Sequence, residues 1–216
     1  MDSRITRLGR KLAQIPFQPR RSHSFGEEHH EFRLGPRLSE AQVSAFEAEH
    51  RIDLPDPYRQ FVTGLGATGA SPFYGLISLE NCRLFTMDPR EASEAPRGFT
   101  PAHRGEQERD LFLHIIEMGC TDLCLIAVTG PLAGRVLTGN SDGFWGPNVS
   151  SAKDFLDWYE RWLDHMAAGR DNRALELTSP QLAASAPWGS RVRAPRRAPG
   201  TGDTPGPSGH ENEAAT

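Results

Sequence analysis

Residues 54–80, LPDPYRQFVTGLGATGASPFYGLISLE, combine a short helical pattern, a glycine-rich loop and an apolar strand pattern. We expect Asp56 to cap the helix, Pro57 to occupy its first helical position and Gly64 to end it. A phosphate-binding loop follows a strand and opens a helix, whereas this loop follows a helix and lacks the Lys-Ser/Thr pair of a P-loop. The glycines therefore indicate a close approach between two backbones and not a nucleotide site.

A second helix is predicted before this stretch, over LSEAQVSAFEAEH. Ser39 and Gln42 have the spacing of a capping box, and Leu38 and Val43 have that of a hydrophobic staple. Val43 and Phe46 then lie on one face of the helix. We expect that face to point into the core.

The strongest helical pattern is SAKDFLDWYERWLDHMAAG, near the end of the candidate domain. Ser151 and Asp154 are expected at its start and Gly169 at its end. The apolar residues recur at helical spacing, and we expect them to be buried: Phe155, Trp158, Tyr159, Trp162, Leu163 and Met166.

Between these helices the period of the apolar residues changes from that of a helix to that of a strand. Four strands are predicted, over YGLISLE, FLHIIEM, DLCLIAVTG and GRVLTG, with a further edge strand over HEFRLG at residues 30–35. The Asp142-Gly143 pair suits a tight hairpin turn. This order predicts an α+β fold, a single domain with a central antiparallel sheet flanked by helices.

The two ends of the chain differ from the middle. Residues 1–28 are predicted to be a basic N-terminal arm or helix, residues 29–168 the folded domain, and residues 169–216 a mostly disordered tail rich in Pro, Gly and Ala. The first 21 residues fit a transit peptide, a loose arm, or a basic amphipathic helix with Ile5, Leu8 and Leu12 on one face. In the tail, Trp188 and the cluster RVRAPRR suit either a docking motif or a solvated segment.

The charge is unevenly distributed. Residues 39–165 contain 19 acidic and 10 basic side chains, although the whole chain carries only −4. An acidic domain is a poor ligand for nucleic acid phosphates, whereas complementary charge would steer a basic partner toward it. We therefore expect no nucleic acid partner. No apolar run is long enough for a membrane helix and no secretory signal is evident, which predicts a cytoplasmic protein without a membrane partner.

The sequence offers little catalytic or metal-binding chemistry. Cys82, Cys120 and Cys124 lack disulfide spacing and are expected to be reduced. Cys120 and Cys124 also lack the tighter spacing of a zinc pair and are expected to be buried in a strand. In EEHHE, residues 27–31, neighbouring side chains point apart, so a shared metal ion is not expected. We expect no enzyme activity, no metal and no cofactor.

The segments LSEAQVSAFEAEHRIDLP, PYRQFVTGLG, PFYGLISLE, GCTDLCLIAVTGPLAGRV and DFLDWYERWLD follow one another in an order that resembles the SUKH superfamily, the Smi/Knr-type cell-wall-regulator domain. The resemblance covers residues 30–166. The loop GLGATGA is similar to the family's Asn-Gly-Gly-type turn, although it lacks the Asn. The resemblance implies a non-catalytic α+β domain that binds proteins.

The resemblance also implies the class of function. Bacterial members resemble immunity proteins that neutralise polymorphic toxins, often nucleases, whereas the yeast type acts in cell-wall and signalling regulation. Arginine exceeds lysine by 22 to 2, as GC-rich genomes tend to encode, which favours the bacterial branch. The first hypothesis is an immunity protein that binds a basic toxin, and the alternative is a regulatory adaptor that binds an endogenous protein.

The predicted partner site is the long polar segment between two strands, residues 86–110, extended to residue 122. Long polar loops on a rigid scaffold often carry binding specificity. The acidic residues of this segment are the predicted partner-binding residues: Asp88, Glu91, Glu94, Glu106, Glu108, Asp110 and Asp122. The same charges fit a flexible insertion in which they serve only to solvate the segment.

Overall fold

A computed structural model describes residues 3–23, 25–87, 111–119, 122–130, 132–140, 149–170 and 192–193. These residues include four α-helices, which are α1 (Ser3–Gln14), α2 (Glu40–His50), α3 (Asp56–Gly64) and α4 (Phe155–Ala167). Short 3-10 turns cover Ile15–Phe17, Glu27–His29 and Leu79–Asn81. Within this described part of the chain, no helix has the length and apolar character needed to cross a membrane.

The strands form one antiparallel sheet. They are β1 (Leu84–Met87), β2 (Leu111–Gly119), β3 (Asp122–Ala127), β4 (Val136–Asn140) and β5 (Val192–Arg193), in the spatial order β4-β3-β2-β1-β5. Every pairing along this order is antiparallel. The predicted α+β class and antiparallel sheet are confirmed.

Apolar residues are buried on both faces of the sheet. Cys124 and Ile126 of β3 lie in the same core cluster as the buried residues of the four helices. In β3, Leu123, Leu125 and Ala127 alternate with these residues and lie on the other face of the sheet. They belong to a second apolar cluster, which consists of Phe85, Phe112, Leu123, Leu125, Ala127, Leu137 and Val149. Burial on both faces explains why LCLIAV, residues 123–128, is a continuous apolar run and does not alternate with polar residues.

Helix α1 packs into the main core. Of the alternatives for the N-terminal segment, the structure therefore shows the amphipathic helix. Ile5, Leu8 and Leu12 are all buried. The folded domain was predicted to span residues 29–168, but its core also contains residues of α1. The polar side of α1 faces acids of α4, because Arg7 Nε lies 2.7 Å from Glu160 Oε1 and Lys11 Nζ lies 2.6 Å from Asp164 Oδ1.

The Arg7–Glu160 pair predicts a loss of stability in acid. The bidentate hydrogen bonds from Arg7, with Lys11 beside them, lower the pKa of Glu160 from 4.5 to about 2. The pair therefore stabilises the fold above pH 4.5, and this contribution is lost as the pH falls toward 2. We expect the free energy of unfolding of Glu160→Gln to depend less on pH over this window. Denaturant unfolding at several pH values measures it, and equal pH slopes in parent and variant would contradict the prediction.

The predicted capping box of α2 is confirmed. Ser39 Oγ accepts a hydrogen bond from the Gln42 backbone N–H, and Gln42 Oε1 accepts one from the Ser39 backbone N–H at 2.9 Å. The cap of α3 was predicted wrongly. Its N-cap is Pro55, whose carbonyl oxygen accepts from Tyr58 N–H at 2.9 Å, so Asp56 is the first helical residue and its side chain makes no cap bond.

The end of α3 is as predicted. Gly64 is the last residue of α3, and Leu65 forms the C-cap. The prediction for α4 is confirmed, because Asp154 caps this helix and all six of its predicted apolar residues are buried.

Two predicted strands are wrong. Residues 74–80 form no strand, since Leu76 makes only isolated bridges, to Gly69 and Ile116, and a 3-10 turn follows. The positive φ of 96° at Gly75 interrupts the extended backbone. In residues 30–35, Leu34 makes a single bridge to Gly69, because Glu31 and Phe32 have left-handed backbone angles that break a strand.

The glycines of the loop at residues 64–69 confirm the predicted close backbone approach. A Cβ on Gly66 would lie 2.6 Å from Leu34 Cβ, and one on Gly69, whose φ is 86°, would lie 2.4 Å from the Arg33 carbonyl oxygen. The segment at residues 33–35 therefore fills the space beside these glycines. Gly69 bridges to both Leu34 of that segment and Leu76, so the loop joins the two.

Two further differences concern strands that the sequence analysis did not identify. Thr86 and Met87, assigned to the polar loop, belong to β1, and Val192 and Arg193, assigned to the disordered tail, pair with them as β5. The remainder of the tail from residue 171 and the predicted Asp142-Gly143 turn lie outside the described residues.

Candidate functional site

An open groove of about 700 Å³ lies between α2 and the segment that leads to β1. We call it the α2 groove. One wall is formed by Pro36, Leu38, Gln42, Ala45, Phe46, Glu49 and His50. The other wall is formed by Ala67, Thr68, Ser78, Leu79, Glu80 and Cys82.

The α2 groove has an apolar floor and an acidic rim. Phe46, Leu79 and Cys82 are nearly buried, with 5 to 9% of their surface exposed, whereas Glu49 and Glu80 are exposed. A concave apolar surface with a few charged groups at its edge is typical of binding sites for extended segments or anchoring side chains of partners. The two carboxylates favour an occupant that is apolar with basic flanks.

Both walls of the groove are held rigidly. Helix α2 is joined to α3 through Glu47, whose carboxylate accepts from Arg59 Nη1 at 2.6 Å and from the Leu54 backbone N–H at 2.9 Å. The opposite wall is joined to the sheet, because the Ile77 backbone N–H donates to the Ile115 carbonyl at 2.9 Å. A partner would therefore meet a surface that is already formed, which reduces the entropy cost of binding.

The thiols of the described residues are kept protonated. Burial raises the pKa of Cys82, in the groove wall, to about 12 and also raises the pKa of Cys124. A thiol with such a pKa carries almost no thiolate at neutral pH, and the thiolate is the nucleophilic form. Both cysteines are free, as predicted, whereas Cys120 lies outside the described residues.

Two buried histidines serve structural hydrogen bonds. His30 Nδ1 accepts from the Phe32 backbone N–H at 3.0 Å, and His114 Nε2 lies 2.9 Å from the Ile116 carbonyl oxygen. Burial lowers the pKa of both imidazoles, which favours their neutral forms. Across the described ranges, no three His, Cys, Asp or Glu side chains lie close enough together to hold a metal ion.

The predicted partner-binding residues are mostly beyond what the structure describes. Asp122 is exposed and is the first residue of β3, where it pairs with Gly119 of β2 and Asn140 of β4. The other predicted residues lie outside the described ranges, namely Asp88, Glu91, Glu94, Glu106, Glu108 and Asp110. Their role in binding stays a prediction.

The α2 groove was not identified from sequence because its walls are about 30 residues apart in the chain. One signal was present in α2, where only Val43 and Phe46 of its 11 residues are buried. A helix with so narrow a buried face leaves most of its surface accessible. The pairing of that surface with residues 78–82 depends on the glycine loop, whose path the sequence pattern did not define.

Comparisons of this chain with protein-family models, with curated proteins and with solved structures found no match.

Proposed function

We propose that this chain is a non-catalytic protein-binding domain, and specifically an immunity protein that neutralises a basic polymorphic toxin by direct binding. The α2 groove supports the proposal, because its apolar floor and its rim carboxylates Glu49 and Glu80 suit a basic protein segment. The resemblance to the SUKH superfamily supports the immunity class.

The charge of the domain supports the same kind of partner. A nuclease toxin needs a basic surface to bind phosphates. A chain with 19 acidic and 10 basic residues over residues 39–165 would be attracted to that surface and would compete with nucleic acid for it. Exposed acids at a rim mainly raise the association rate, whereas buried apolar contacts slow dissociation. The acidic rim and apolar floor of the α2 groove would therefore have separate roles.

A charge-reversal variant tests the groove. The proposal predicts that a neighbouring gene encodes a large secreted protein with a toxic C-terminal domain. That domain is purified and mixed with the full chain or with its Glu49→Arg/Glu80→Arg variant, and association is followed by stopped flow at low and high salt. We expect the double variant to bind at least about tenfold more weakly, equivalent to about 1.4 kcal/mol. The association rate of the variant should also depend less on salt.

Asp53→Arg is the matched control, because Asp53 is exposed and does not line the groove. It makes the same charge change as either single groove variant, Glu49→Arg or Glu80→Arg, and should leave binding close to the parent value. Equal affinities for the parent and the double variant would remove the groove from the interface. Failure of the full chain to protect cells that express the toxin would overturn the immunity proposal in favour of the adaptor alternative.

A further inference from the structure

Three aromatic side chains form a surface cluster near Gly119, at the C-terminal end of β2. Phe25 and Tyr74 meet edge to face with ring centroids 5.3 Å apart, and His29 meets Tyr74 in the same manner at 4.9 Å. Phe25 remains 49% exposed. We call Phe25, His29 and Tyr74 the Tyr74 cluster. Exposed aromatic groups of this kind are enriched in protein interfaces, where they act as anchors.

The backbone around the Tyr74 cluster holds several unfavourable conformations. Glu31, Phe32 and Phe73 have φ angles of 47°, 58° and 59°, which non-glycine residues seldom adopt. Gly26 has a φ of 82°, and a Cβ there would lie 2.4 Å from the Phe73 carbonyl oxygen. Strained backbone of this sort persists only where the surrounding structure enforces it, and it is concentrated at functional sites.

Acidic residues adjoin the cluster, with Glu28 Oε1 3.7 Å from His29 Nε2 and Glu117 Oε2 3.8 Å from His114 Nε2. The Tyr74 backbone N–H donates to the Glu117 carbonyl oxygen, and the ring of Tyr74 packs against Gly119, whose partner across the strand pair is Asp122. The side chains of Glu117 and Glu28 are 48% and 70% exposed, and Asp122 is exposed. The site thus combines accessible ring surface with negative charge.

We propose that the Tyr74 cluster binds a cationic side chain, an arginine or a lysine, of a protein partner. A cation attracted by the exposed carboxylates of Glu28 and Glu117 would lie against the ring of Phe25 or Tyr74, where the negative face of an aromatic ring stabilises it. Arginine is the better fit, because its planar guanidinium group stacks on an aromatic ring and hydrogen-bonds a carboxylate at the same time. This site is separate from the α2 groove.

Titration of the full chain with a small peptide tests the proposal by NMR. The probe is acetyl-Gly-Arg-Gly-Arg-Gly-amide, compared with the same peptide in which citrulline replaces arginine, since citrulline has nearly the same shape without the charge. We expect the arginine peptide to shift the Gly119 amide and the ring signals of Phe25 and Tyr74, with much smaller shifts from the citrulline peptide. Equal shifts from the two peptides would overturn the proposal.

Substitutions locate the site. Phe25→Ala is expected to weaken binding of the arginine peptide about 2–5-fold, as loss of one exposed cation–π contact predicts. Phe25→Ala/Tyr74→Leu should remove the difference between the two peptides. Phe17→Ala is the matched control, because Phe17 is 85% exposed and lies outside the cluster. Unchanged binding in the double variant would show that the peptide binds elsewhere.

The α2 groove variant separates this proposal from the proposed function. Glu49→Arg/Glu80→Arg should leave the shifts of Gly119 and Tyr74 unchanged, since neither substituted residue is part of the Tyr74 cluster. Loss of those shifts in the groove variant would show that the arginine peptide is recognised through the groove, and the Tyr74 cluster would then not be a separate site.

Discussion

Replacement of both Ile5 and Leu8 by alanine is expected to remove most of the free energy of unfolding of the protein at room temperature. Ile5 is 2% exposed and Leu8 is fully buried, and both lie in the main core. Each truncation of a buried aliphatic side chain costs about 2–5 kcal/mol, and two of them approach the typical free energy of unfolding of about 5–15 kcal/mol. Circular dichroism and denaturant unfolding of the full chain measure the effect.

The matched control for this prediction is Thr6→Ala/Arg10→Ala, on the exposed side of the same helix. It should change the free energy of unfolding by less than about 1 kcal/mol, because exposed positions away from specific contacts tolerate substitution. Native-like stability of the Ile5→Ala/Leu8→Ala variant would mean that α1 is a loose arm and not part of the core.

The second large effect is expected from Trp162→Ala, at a cost of about 3–5 kcal/mol in free energy of unfolding. Trp162 is fully buried in α4, where Phe32 stacks on it at 6.0 Å and Tyr159 meets it at 5.1 Å. Removal of the indole leaves a cavity between these rings. Thermal and denaturant unfolding measure the loss, and a variant as stable as the parent would contradict the core assignment.

Trp162→Phe is the informative companion variant. The indole Nε1–H of Trp162 is buried and has no hydrogen-bond partner within the described part of the chain. A buried donor without a partner is destabilising, so its removal offsets part of the lost apolar contact. We expect Trp162→Phe to cost less than half as much as Trp162→Ala. Equal losses of stability in Trp162→Phe and Trp162→Ala would show that a phenyl ring cannot replace the packing of the indole at this position.

The parts of the fold predicted well are those in which local signals agree with tertiary packing. The Ser39–Gln42 capping box and the buried side chains of α4 were both predicted from spacing alone, since a cap and a helical repeat are short-range features. The predicted N-cap of α3 was wrong by one residue. Pro55 and Asp56 both occur near helix starts, and only the hydrogen bond from the Tyr58 backbone N–H to the Pro55 carbonyl oxygen distinguishes them.

The parts that were missed depend on contacts between distant segments. The apolar run YGLISLE has strand composition, but the left-handed φ of Gly75 and the pairing of Leu76 with both Gly69 and Ile116 make it an irregular bridge. The Tyr74 cluster was missed for the same reason. Phe25, His29 and Tyr74 carry no shared spacing, and they meet only because Gly26 lets two turns approach each other closely.

The ion pairs between α1 and α4 join segments that are far apart in the sequence, with Arg4 and Asp154 separated by 150 residues. Ribosomes extend a chain at about 5–20 residues per second, so α4 is synthesised roughly 8–30 s after α1. During that interval Ile5, Leu8 and Leu12 have no helix to pack against, although a lone helix of this length is barely stable in water. The apolar stripe of α1 is therefore accessible to chaperones during translation, and the core can close only after α4 has left the ribosomal exit tunnel.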